Sequence, residues 1–264
     1  MNELGPFSFW ELFVLVVVVF AVLGALGVVL THRRLTRRVH EGHNDSVVPI
    51  YATSGVIYAV LLAFTVIAVW EQYTAAKDNV NNEAAALTTM YRETEAMPRA
   101  ERPELRVLIR EYTEAVVGPE WKEQANGGSS AVARRAIVDV HANLAAHPPT
   151  AATAPINAAF VTQLSDMTTA RNKRTLATRD TLPWILWVGL ITGGLVVVAL
   201  SWFLYMANAQ LHALLSAMVG GLIGVLLFST VALDRPFKGK LGIRPEAFQH
   251  SLEVYDLVDQ TSHR

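Results

Sequence analysis

VVPIYATSGVIYAVLLAFTVIAV, residues 47–69, carries no charged side chain. As a helix it outreaches a hydrocarbon core of about 30 Å, which takes roughly twenty residues. Working outward, residues 13–30, 182–206 and 213–233 are uncharged apolar runs of the same kind. In lipid every backbone polar group needs an internal partner, so such runs predict helices. The fold class that follows is all-α: an integral membrane protein with four transmembrane helices, two plus two, and a helical domain between the second and third spans.

The chain divides accordingly. Residues 1–70 form a first transmembrane hairpin, 71–181 a helical extramembrane domain, 182–233 a second hairpin, and 234–264 a juxtamembrane C-terminal tail. The leading segment carries Glu3 and Glu11 without a cation, and Arg33, Arg34, Arg37 and Arg38 follow the first run where a signal peptide would present a small-residue cleavage site. The first run therefore reads as a retained anchor. Of 264 residues, 52% are hydrophobic and only 17% charged, which suits a chain shared between lipid and water. Net charge is -1 and cysteine is absent, so neither nucleic-acid binding nor thiolate chemistry is indicated.

Within 71–181 the apolar residues recur at helical spacing: Leu87 and Tyr91; Leu105, Leu108, Ile109, Tyr112 and Val116; Ile137, Val140 and Leu144; Ile156, Phe160, Leu164 and Met167. Roughly four amphipathic helices result. Turns fall at 97–103, at NGGSS (126–130) and at HPPTAATAP (147–155). No proline or glycine lies between Val69 and Met97, and none lies between Pro155 and Pro183, so the second and third spans are expected to continue outward as long helices. Four arginines in the loop 31–46 place that loop in the cytoplasm by the positive-inside rule, and the domain and both termini outside the cell membrane.

On the second span Ser54, Gly55, Tyr58, Leu62, Thr65 and Val69 share one face, with Val56, Val60, Phe64 and Ile67 opposite. Two readings stay open. The first face could line a narrow path with an apolar constriction at Leu62 or Val69; alternatively its hydroxyls bond to neighbouring helices. Farther along the same face Glu83 is a vestibule candidate, whereas Glu71 lies nearly opposite. Arg235 and Lys238, after the last span, are candidates for a pore mouth. Gly189 and Gly193, and Ser216, Gly220 and Gly224, stand four apart, the spacing that lets helix backbones approach.

Chemical motifs are scarce. His40, Glu41 and His43 lie close together, but a structural zinc site wants four ligands, so no metal site is expected. No nucleophile elbow, HExxH or phosphate-binding glycine loop occurs, so neither an enzyme nor a cofactor is expected. No ionisable residue lies centrally in a span, which disfavours a proton-coupled carrier.

His43-Asn44, Tyr58, Leu62 and Phe64, Trp70-Glu71, Tyr73, Glu83-Ala84, Glu120-Trp121 and Asp234-Arg235-Pro236-Phe237 with Gly239 together resemble the bacterial bestrophin-like domain family. The resemblance covers nearly the whole chain. Bestrophins, a more distant relation, are pentameric anion channels with a two-plus-two layout, a pore lined by the second span and a cytoplasmic central domain. The expectation is an oligomeric ion channel, with anions as the implied cargo, the lipid bilayer and further copies of the chain as partners, and a small inorganic ion as ligand. The rival is a non-conducting sensor or scaffold whose helical domain binds a ligand or partner.

Overall fold

The structure, a computed structural model, describes residues 9–35, 42–125 and 127–262. The described residues form helices and no strand, in two compact units. The first unit takes in residues up to Gln72 together with Thr181–Leu241. It holds α1 (Phe9–Leu35), the first part of α2 (His43–Glu93), α7 (Trp184–Ser201) and α8 (Ala209–Leu233). All four are long and apolar enough to cross a membrane.

Contact between α1 and α8 depends on small residues. A Cβ added at Gly220 would overlap the Phe20 carbonyl, one at Gly224 would lie 2.9 Å from Val17 Cα, and one at Gly24 would overlap the Ser216 carbonyl. With lipid tails as apolar as any side chain, this backbone-to-backbone approach supplies the van der Waals gain. On α7, Gly193 and Gly194 leave room for the Tyr58 ring of α2, which would stand 2.8 Å from a Cβ at Gly193. Around it pack Leu62, Leu190, Val197, Val198, Ile223 and Leu227.

Polar clamps close the loops of this unit. His43 Nε2 lies 2.9 Å from the Phe203 carbonyl, and Asn44 donates to the Tyr205 carbonyl at 2.8 Å while accepting from its N–H at 2.9 Å. Asn208 caps α8 by accepting from the N–H groups of Gln210 and Leu211. Buried Asp234 accepts the Leu182 N–H at 2.7 Å, satisfying a donor just before α7.

The second unit comprises Tyr73–Asp180 and the C-terminal residues from Gly242. The outer part of α2, α3 (Arg102–Ala115), α4 (Trp121–Gln124), α5 (Ala131–Ala146), α6 (Ala154–Leu176) and α9 (Glu246–Ser262) build it. Between α3 and α4 the helix widens into a π turn, Val116–Glu120, containing Pro119. Ser130 caps α5 by accepting from the Val132 N–H at 3.2 Å. Leu87, Met90, Leu105, Ile109, Val116, Phe160, Leu164 and Phe248 form its buried centre; each large apolar side chain removed from water is worth about 1.5–3 kcal/mol.

Two expectations change and one holds. The third span does not run on from the domain: α6 stops at Leu176, and α7 starts after Pro183, which has no N–H to continue a helix. The second span does continue, as one 51-residue helix. The tail from residue 242 supplies α9 to the outer unit, because Phe248, Ser251 and Tyr255 make a buried stripe.

Candidate functional site

The inward face of α2 in the membrane unit is the stripe Tyr58, Leu62, Thr65 and Val69, all buried, with Tyr58 at 7% exposure and Val69 at 0%. Ser54 and Gly55 are half-buried at its edge. The structure thus brings the expected lining residues together, but into the seam of a single chain. Thr65 satisfies its hydroxyl on the Leu61 carbonyl at 2.9 Å, and the Tyr58 hydroxyl is buried without a hydrogen-bond partner among the described residues. Opposite, Val56 is 64% and Phe64 69% exposed, with Val60 and Ile67 also exposed. Between these faces lies a ribbon of small residues, Ala52, Gly55, Ala59 and Ala63; among the described residues nothing lies within 4 Å of the position a Gly55 Cβ would take.

In the outer unit Glu83 is fully buried, not open to a vestibule. Its position on α2 is in phase with Ala76, Val80, Leu87 and Met90, all buried, so the helix turns it into the bundle. There Arg174 of α6 binds it with two nitrogens, Nε to Oε2 at 2.6 Å and Nη2 to Oε1 at 2.9 Å. Arg174 also reaches Glu120 Oε1 at 2.7 Å and the Gln124 side-chain oxygen. Arg171 forks onto Glu120 at 2.8 and 2.7 Å and donates to the Tyr112 hydroxyl at 2.9 Å. Tyr112 in turn donates to Glu83 Oε1 at 2.5 Å, and Glu120 accepts the Ser130 N–H at 3.0 Å.

Two carboxylates thus balance two guanidiniums, and the Arg174 guanidinium carbon lies 5.6 Å from the Trp121 ring centroid and 5.7 Å from that of Phe248. Burial pushes the Glu120 carboxyl up, but the charges of Arg174 and Arg171 and their hydrogen bonds outweigh it and hold the group below its usual range. Burial, and then the charge of Glu83, pushes the Tyr112 hydroxyl well above its ordinary value. The network is a neutral, closed brace joining α2, α3, α4 and α6, which leaves no net charge to attract a passing ion.

Arg171, Arg174 and Glu120 were not expected as a site. The signal was present: Phe160, Leu164 and Met167 are followed by Arg171 and Arg174 at the same four-three spacing, so both arginines fall on the buried face of α6. Arg235 is exposed and Lys238 half-buried in the segment after α8. Ser216, Gly220 and Gly224 meet α1, and Gly193 meets Tyr58, whereas a Cβ at Gly189 would make only an ordinary 3.7 Å approach to Leu61. His40 and Glu41 lie outside the described residues, and His43 is engaged by Phe203.

A profile of the bestrophin-like domain matches residues 18–248. The chain belongs to the bestrophin-like domain family. Among solved structures, this bestrophin-like chain is similar to a mutant of a bacterial bestrophin homologue from Klebsiella pneumoniae, with a TM-score of 0.73 at 10% identity, covering 93% of this chain and 98% of that one. A crystal structure described as a membrane protein gives a TM-score of 0.74 at 11% identity, with coverage of 93% and 98%. Another mutant of the Klebsiella homologue gives 0.68 at 12%, covering 96% and 99%. At these identities the likeness is one of fold. No curated protein matches the chain. Several of the residues that carry the family resemblance in the sequence make the loop clamps and the buried brace: His43-Asn44, Glu83, Glu120-Trp121 and Asp234.

Proposed function

We propose that this chain is one subunit of an oligomeric ion channel in a cell membrane, with α2 beside the symmetry axis. The observation that carries this reading is the open ribbon Ala52, Gly55, Ala59 and Ala63. The ribbon on α8 is filled by α1, and that at Gly193 and Gly194 by Tyr58; on the α2 ribbon Ala52, Ala59 and Ala63 are exposed and nothing among the described residues lies within 4 Å of a Cβ at Gly55. Small residues at this spacing serve close helix approach, so a second copy of the chain is its natural occupant. The adjacent exposed face, Val56, Val60 and Phe64 at four-residue intervals, then supplies an apolar constriction of the kind that gates by dewetting. The buried stripe of Tyr58, Leu62, Thr65 and Val69 holds α2 from behind.

Family membership favours small inorganic anions as the cargo, and on this reading exposed Arg235 with Lys238 would gather them at a mouth. We also orient the outer unit in the cytoplasm, against the charge reading. Arg171 and Arg174 are consumed by the brace, but Arg235, Lys238, Lys240 and Arg244 after α8 equal in number the arginines of the loop 31–46. With charge balanced, the layout of the related bestrophins supports this orientation.

Purified protein in liposomes tests the reading. Chloride flux above that of protein-free vesicles, from a preparation shown by light scattering to be a discrete oligomer, supports it. Flux equal to the empty vesicles from the same oligomer defeats it.

A further inference from the structure

The sequence ERPELRVLIR places Arg102, Arg106 and Arg110 four apart on α3, so they share one face, and Arg99 stands in the turn before it. In the outer unit these side chains line a cleft of about 600 Å³, with Glu95 and Asp259 opposite. That volume is in the range of small-molecule sites, about 300–1,000 Å³. Four guanidiniums therefore meet two carboxylates, and Asp256 at the rim adds a third through Arg110 at 2.9 Å.

The cations are held in place before any ligand arrives. Arg102 Nε donates to the Met97 carbonyl at 2.7 Å and Nη1 to Glu95 at 3.3 Å; Arg106 Nε donates to Thr94 at 2.9 Å, Nη1 to Asp259 at 3.0 Å and Nη2 to Glu95. Arg110 Nη2 donates to Asp259 at 3.1 Å, and its guanidinium lies over the stacked rings of Tyr91 and Tyr255. Each guanidinium has five N–H donors, so the bonds made by Arg102 and Arg110 fix their planes without using every donor. Arg99 is exposed and has no ion-pair partner among the described residues.

We propose that this cleft binds a ligand carrying linked phosphate groups. Guanidinium is the side chain best matched to phosphate, which it can grip with two parallel hydrogen bonds. Spread over two turns of α3, about 12 Å, the cations suit two or more linked phosphates better than a single small ion. Pro103 and exposed Val107 add an apolar wall for the organic part of such a ligand. The phosphates can belong to a soluble metabolite or to a lipid headgroup. Nothing in this site depends on conduction, because its readout is binding.

The test is calorimetric titration of the detergent-purified full chain with pyrophosphate, orthophosphate and a short-chain bisphosphorylated inositol lipid, all at one ionic strength. Saturable binding of pyrophosphate or of the lipid, once per chain and tighter than orthophosphate, is expected. Arg99→Gln with Arg102→Gln should weaken it by about tenfold or more, the loss that follows removal of charge-assisted hydrogen bonds to phosphate. Arg99→Gln alone removes no bond seen in the structure and should weaken binding without touching the fold, while Arg135→Gln, exposed on α5, should leave it unchanged. Tighter lipid than pyrophosphate binding assigns a headgroup; the reverse assigns a soluble ligand. No saturable binding of either probe to folded protein, or equal binding by the Arg99→Gln, Arg102→Gln variant, overturns the proposal.

Discussion

Arg174 Nε lies 2.6 Å from Glu83 Oε2, and both side chains are completely buried. Such a pair is asymmetric in its energetics: forming it gains little over an apolar packing, yet removing one partner strands the other charge. Arg174→Ala and Glu83→Ala are therefore each expected to cost about 3–5 kcal/mol. Thermal unfolding in detergent would show it, and a midpoint equal to wild type in either variant would remove the brace from the account of stability.

Glu120 gives the brace a pH dependence. Its folded pKa is held below the unfolded value, so its contribution is present above the unfolded carboxylate pKa, about 4.3, and is lost as pH falls through the depressed folded value. Stability measured downward from pH 6 should fall more steeply in wild type than in Glu120→Gln. Parallel curves would contradict the assignment.

Glycine substitutions separate filled ribbons from the open one. Gly220→Ala drives a Cβ into the Phe20 backbone and should destabilise the single chain, whereas Gly55→Ala meets nothing within 4 Å. On the proposed assembly Gly55→Leu should instead lower the oligomer's mass by light scattering while leaving the helical circular dichroism intact. An undisturbed oligomer would remove α2 from the interface.

The proposed constriction predicts a gain of function. Val60→Ser with Phe64→Ser makes the exposed face wettable and should raise liposome flux severalfold, while Tyr58→Phe, confined to the seam, should alter flux little. The opposite ranking would return the path to the Tyr58 stripe.

Because the chain has no cysteine, orientation can be read by single-cysteine labelling without a cysteine-free background. With exposed positions Ser46→Cys and Ala151→Cys, intact cells treated with an impermeant maleimide should label the first and spare the second. Reversed labelling would put the outer unit outside.

The four spans were legible because lipid demands long apolar helices, and α2's extension was legible from the absence of breakers. Which face of α2 turns inward was not. A hydroxyl stripe looks the same whether it meets water or a neighbouring helix, and Thr65 can satisfy itself on its own backbone. Glu83 misled for a related reason: a lone carboxylate reads as solvated until Arg174, ninety-one residues away, is brought beside it. The α9 helix was readable from Phe248, Ser251 and Tyr255, but lay in a stretch whose cations and glycines suggested the membrane surface.

The interlock of Gly24 with Ser216 and of Gly220 with Phe20 also sets a timetable for biogenesis. The first span enters the bilayer long before its mate exists, since α8 follows nearly the whole remaining chain. At synthesis rates of about 5–20 residues per second, α1 waits on the order of ten seconds or more with its glycine backbone facing lipid. During that interval any competing helix with a small-residue face could occupy it, and a nascent chain cut short before α8 would leave α1 unpartnered.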